Sequence, residues 1–150
     1  MRKMLEAELE KHLRAFRAEP GSPCELKAWL DQNQPELATI LSPGILLKLR
    51  SPNVGKIMGA IALLLPGCTH CGQVGAPTTF ASRQEHSSYA KRVDDAISNN
   101  ILKRVKAPQW LLPDNSQMGA DGYFKCSVCG AIWSLVEPER QDNGKWERIA

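Results

Sequence analysis

Residues 66–72 read Pro-Gly-Cys-Thr-His-Cys-Gly, and residues 123–133 read Tyr-Phe-Lys-Cys-Ser-Val-Cys-Gly-Ala-Ile-Trp. A lone C-x-x-C closes a small redox disulfide as readily as it offers two thiolates to one cation. Its repetition favours the cation: Cys68, Cys71, Cys126 and Cys129 supply four sulfurs, the number that fills the closed tetrahedral shell of a structural zinc ion. Glycine follows the second cysteine of each pair, at Gly72 and Gly130, where a chain turning around a metal often needs a positive φ to aim its amides at the sulfurs. A redox pair would instead sit where a strand enters a helix whose N-terminus stabilises the first thiolate. Here the first pair follows a helical segment and precedes a loop.

Upstream of that pair the spacing predicts a helical block over residues 1–65. Leu5, Leu9, Leu13 and Phe16 form one stripe of an amphipathic helix that begins near the N-terminus. Ser22-Pro23, Ser42-Pro43 and Ser51-Pro52 each join a capping hydroxyl to a proline suited to a first turn, and Glu25 completes a capping box with Ser22. A further start lies at Pro35. Val54, Ile57, Met58, Ile61 and Leu65 mark the strongest apolar stripe, and Pro66-Gly67 stops that helix directly before Cys68.

Downstream, Gly72, Gly75 and Pro77 indicate a loop, and Thr78-Thr79-Phe80 a short strand. Ser82 and Glu85 form a second capping box, from which Tyr89, Val93, Ala96, Ile97, Ile101 and Val105 predict one helix over residues 82–106, ended by Pro108. A loop over residues 110–121 leads into strands around the second cysteine pair, and Asn143-Gly144 is typical of a tight hairpin turn. The expected class is α+β: a helical block (1–65), then residues 66–150 as short antiparallel strands closed by zinc, with the helix 82–106 inserted between the two cysteine pairs.

The two C-x-x-C-G units resemble the zinc-ribbon group, in which two knuckles, each on a β-hairpin, share one Zn2+ ion. The resemblance covers residues 66–80 and 122–149. It departs from the group in one respect: 54 residues separate Cys71 from Cys126, against roughly 15–20 in the compact pattern. The ligands are unaffected, because loop closure grows costlier only logarithmically with length. Residues 129–149, with Trp133 and Trp146 on neighbouring strands, are similar to C-terminal parts of small bacterial toxin-immunity proteins. That resemblance implies a toxin domain as protein partner and the two tryptophans as contacts, the alternative being that both rings only cover the zinc site.

Four thiolates leave no open coordination position for a catalytic water, and no phosphate loop, nucleophile elbow or H-E-x-x-H motif is present. The expectation is a binding module without enzymatic activity or a small-molecule substrate. Lys103, Arg104 and Lys106, with Lys91 and Arg92, offer phosphate contacts and Trp110 a stacking surface, which makes nucleic acid the alternative partner. A net charge of +3 over 150 residues neither demands nor excludes it. Cys24, beside Trp29 and Leu30, reads as a small buried hydrophobe. His70 could replace a cysteine as ligand, but an exposed side chain is favoured, as it is for His12 and His86. The first sixteen residues alternate acid and base and lack the apolar core of a signal peptide, and the longest apolar stretch, residues 57–65, has about half of the roughly 20 residues that span a bilayer. A cytoplasmic protein with no membrane partner is expected.

Overall fold

The computed structural model describes residues 2–21, 23–111 and 120–150. The chain divides into two compact units, Met1–Leu65 with Ala150, and Pro66–Ile149.

The first unit is built from α1 (Arg2–Ala18), α2 (Cys24–Gln32), α3 (Gln34–Leu37), α4 (Pro43–Leu49) and α5 (Val54–Leu64). Helices as short as α2–α5 do not persist alone in water, so their apolar faces must hold them. Leu9, Leu13 and Phe16 of α1 are buried, as the stripe predicts, and α5 buries Ile57, Met58 and Ile61 while packing on α1 and α4. Each such side chain removed from water contributes about 1.5–3 kcal/mol. Ser42 caps α4, its hydroxyl accepting the Ile45 amide at 3.3 Å. At α5 the cap is Asn53, whose side chain accepts from the Lys56 amide at 3.3 Å. Ser51 instead accepts from the Asn53 amide at 3.1 Å, one step upstream of the role predicted for it. Pro23 precedes α2 without a side-chain cap; Ser22, and with it the first capping box, lies outside the described residues. Cys24 is exposed on the first turn of α2, not buried, because Leu26 and Leu30 take the inward positions. His12 is half-buried, its ring stacked on Trp29 at 4.4 Å.

The second unit contains a 3-10 turn (Cys71–Gln73), β1 (Thr78–Thr79), α6 (Arg83–Ser98), β2 (Leu102–Val105), β3 (Ala120–Cys126), β4 (Ile132–Val136) and β5 (Lys145–Arg148). The strands form one antiparallel sheet in the order β1-β5-β4-β3-β2. The α+β class stands, but the insertion is not one helix over 82–106. Ser82 caps α6 through the Glu85 amide, and the helix then ends at Ser98 in a Schellman motif. Asn100 takes φ +59°, the Ile101 amide donates to the Ala96 carbonyl at 2.9 Å, and the Asn100 amide donates to Ile97 at 3.0 Å. Asparagine tolerates the left-handed region, so Asn99-Asn100 overrides the stripe that ran on through Ile101 and Val105.

The loop expected over 110–121 is shorter than that, since Ala120 and Asp121 already belong to β3, with a register shift between Ala120 and Gly122; residues 112–119 lie outside the described residues. Nor does Asn143-Gly144 close a tight hairpin. Residues 137–144 join β4 to β5 with a bridge between Glu139 and Asp142, and Gly144 re-enters the sheet at φ +83°, where a Cβ would overlap the Val136 carbonyl oxygen. Val93 and Ala96 of α6 cover one face of the sheet, in a core with Phe80, Phe124, Trp133 and Trp146. His86 is half-buried, edge-on to Phe80 at 5.6 Å. No helix among the described residues is long and apolar enough to cross a membrane.

Candidate metal centre

Both cysteine pairs are folded by the same local turn. The Gly72 amide donates to the Cys68 carbonyl at 2.9 Å, and the Gly130 amide donates to the Cys126 carbonyl at 3.0 Å. Beyond that bond the knuckles differ. Gly130 adopts φ +80°, and the Cys126 amide reaches the Ala131 carbonyl at 2.8 Å, so the chain reverses from β3 into β4. Gly72 is not in the positive-φ region and continues into the 3-10 turn. The second knuckle therefore sits on a hairpin, and the first does not.

The turns bring all four sulfurs together. Cys68 Sγ lies 3.8 Å from Cys71 Sγ and 3.6 Å from Cys126 Sγ, Cys71 Sγ lies 3.8 Å from Cys129 Sγ, and all four are within 4.8 Å of one another. None is joined in a disulfide. Cys71 and Cys126 are buried, Cys68 and Cys129 half-buried. This cluster could hold one metal ion. No protein-family model, curated protein or solved structure matches the chain.

Burial and mutual repulsion decide which thiols ionise unaided. At Cys68 burial acts upward, but the amides of Cys71 and His70 and the thiols of Cys126 and Cys129 outweigh it and bring the group down to about 6. Burial, and then the negative charge of Cys129 and Cys126, pushes the Cys71 thiol well up. Burial also raises Cys126, although the amides of Val128 and Cys129 donate to its sulfur at 3.4 and 3.5 Å. Four thiolates so close need a cation among them, because only a positive charge there offsets their repulsion.

Two neighbours were missed by the sequence reading. A Cβ on Gly67 would lie 3.0 Å from both Cys71 Sγ and a ring carbon of Trp133, so glycine leaves the room that ligand and indole occupy. Arg148 holds its guanidinium 5.9 Å from the centre of the Trp133 ring, and there burial lowers its pKa while the charges of Cys71 and Cys129 oppose that loss. Gly67 reads in sequence only as a helix stop, and nothing there links Arg148 to the cysteines.

The other predicted contacts are placed differently from expectation. Trp133 and Trp146 are only 2% and 1% exposed and stack on each other at 4.9 Å, so neither ring faces a partner; they are core beside the cysteines. Lys103, Arg104 and Lys106 are exposed on β2 and just beyond it, not on a helix. Arg104 lies over the Phe124 ring at 4.9 Å. Arg92 of α6 donates to the Val74 carbonyl at 3.1 Å and Trp110 is half-buried. His70 is exposed, apart from the four-sulfur cluster.

Proposed function

We propose that the chain is a non-catalytic binding module for a protein partner in the cytoplasm, held in shape by one structural Zn2+ ion on Cys68, Cys71, Cys126 and Cys129. The observation that carries this reading is the spacing of the sulfurs. A tetrahedron with Zn–S bonds of about 2.3 Å places its corners about 3.8 Å apart, and three of the separations are 3.6, 3.8 and 3.8 Å, with all four sulfurs inside 4.8 Å of one another. Four thiolates select zinc or iron among the common metals and suit a reducing compartment. Filling the shell with sulfur leaves no place for a reacting water, which supports a structural role over a catalytic one.

Trp133 and Trp146, the contacts implied for a protein partner, are buried, and Trp110, the stacking surface implied for nucleic acid, is half-buried; a protein partner is favoured instead because a net charge of +3 over 150 residues is small for a binder of the phosphate backbone. A toxin domain is one such partner, suggested by the resemblance of residues 129–149. Elemental analysis of protein purified without added metal tests the first part, with about one zinc per chain expected and a metal-free or iron-bearing product counting against it. Protein capture at moderate salt, compared with binding to single-stranded oligonucleotides, tests the second: an oligonucleotide held tightly with a steep salt dependence would overturn it.

A further inference from the structure

We infer that the outer edge of β2 is a docking strand for an acidic, extended segment of the partner protein, an inference that rests on the binding-module reading above. β2 is the last strand of the sheet, and among the described residues no backbone group outside β3 pairs with Lys103, Arg104 or Val105. A strand so placed presents a row of amides and carbonyls that another extended chain can continue.

The charge along this edge says which chain. Residues 99–111 and 120–131, which hold β2 and β3, carry four basic side chains, Lys103, Arg104, Lys106 and Lys125, against one acidic residue, Asp121. Lys103 stands directly opposite Lys125 in the β2–β3 register, both exposed on the same face. Like charges in that arrangement work against the sheet. Neither of them, nor Lys106, has an ion pair among the described residues. Half-buried Val105 and Tyr123 form the next cross-strand pair on that face, giving an apolar step beside the two ammonium groups.

Three kinds of occupant can be compared on these terms. A second copy pairing edge to edge would bring the same lysines together, which is how edge lysines prevent self-association. Nucleic acid would meet the charge but has no amide row to continue the ladder. An extended peptide with carboxylates at alternate positions meets both, since residues two apart share a face and can reach Lys103 and Lys125 while the backbone pairs with β2.

The probe is a short fluorescein-labelled peptide of alternating Glu and Val, added to the zinc-loaded full chain and followed by anisotropy. Saturable binding is expected, weakened about tenfold or more in the Lys103→Glu, Lys125→Glu double variant; that variant should retain the zinc content and melting midpoint of the parent. Two further peptides, N-methylated at odd or at even residues, keep the charge but lose alternate amides, and one of them should bind at least about tenfold more weakly. No binding of the parent peptide, equal binding by all three peptides, or equal binding by oligothymidylate of the same charge would overturn the inference. A partner protein captured equally well by the parent chain and the double variant would also overturn it, while leaving the binding-module reading in place.

Discussion

Removing a metal ion from the four cysteines is expected to melt the sheet unit, and the size of the effect follows from where the ligands lie. Cys68 and Cys126 stand 58 positions apart, so an unfolded chain does not keep them together and releases the ion. An ion bound by the folded chain alone stabilises it by RT ln(1 + c/Kd), where c is the free zinc concentration, about 4 kcal/mol when c exceeds Kd a thousandfold. A unit the size of Pro66–Ile149 has a total stability of about 4–13 kcal/mol, so the ion supplies a third of it or more. At about 4–8 °C per kcal/mol for a unit of this size, the melting midpoint should fall by about 20 °C when a strong chelator takes the metal. Trp29→Phe leaves Trp110, Trp133 and Trp146 as reporters, two of them stacked in the core. Their emission should shift to the red on chelation and return on adding zinc. Protein confirmed as metal-free by mass spectrometry that keeps its blue emission and melts within about 3 °C of the loaded form would refute the reasoning.

Zinc affinity should climb with pH. Cys71 and Cys126 have raised pKa values and stay protonated near neutrality, so binding must displace at least their two protons; below about 6 Cys68 is protonated as well, and the slope of log K against pH should steepen by about one. Competition titrations with a chromogenic chelator between pH 5 and 8 measure both slopes, and a flat profile would contradict them. Gly144→Ala forces a side chain into φ +83° against the Val136 carbonyl and should cost about 1–3 kcal/mol, lowering the midpoint by about 5–20 °C in a thermal melt. Arg148→Gln removes the positive charge that faces Cys71 and Cys129 and should weaken zinc binding about tenfold in the same titration. Cys24→Ser, at an exposed site outside the cluster, should leave both zinc content and stability unchanged to within about 0.5 kcal/mol.

What could be read in the sequence was whatever local chemistry dictates. The four-cysteine cluster was legible because the C-x-x-C-G unit occurs twice and each copy turns two sulfurs to one side, although only Gly130 takes the positive φ expected of both glycines. The stripe of α1, the cap at Ser42 and the cap at Ser82 were legible because each is decided within a turn or two of helix. The errors arose where two local signals competed or where tertiary structure decided. Apolar spacing through Ile101 and Val105 favoured continuing α6, but a left-handed Asn100 ended it, and Leu102–Val105 then pair with β3 as an edge strand. Trp133 and Trp146 looked like contacts because exposure is not written in a short strand; their burial depends on α6 covering that face. The role of Arg148 depends on strand order, which no local pattern specifies.

The two knuckles divide the work unequally, and this bears on where recognition can occur. The second is part of the sheet through β3 and β4, whereas, among the described residues, residues 66–75 make backbone hydrogen bonds only with one another. Their ties to the rest of the unit include the packing of Cys68, Cys71 and Val74 on the core, the close approach of Gly67 to Trp133 and the hydrogen bond from Arg92 to the Val74 carbonyl. In a unit this small, with limited apolar area to bury, a metal ion on the four cysteines would do what a larger core otherwise does: it would fix a segment with little pairing of its own onto the hairpin. A centre so used is enclosed on its inner side by Cys71, Cys126 and Trp133, and substitutions of its ligands act on the fold before they act on any contact. Partner contacts that can change without cost to the fold lie on residues it does not need, and the exposed lysines of the β2 edge meet that condition where the buried tryptophans do not. Cysteine variants should therefore reduce partner binding and stability together, whereas lysine variants on β2 and β3 should separate the two.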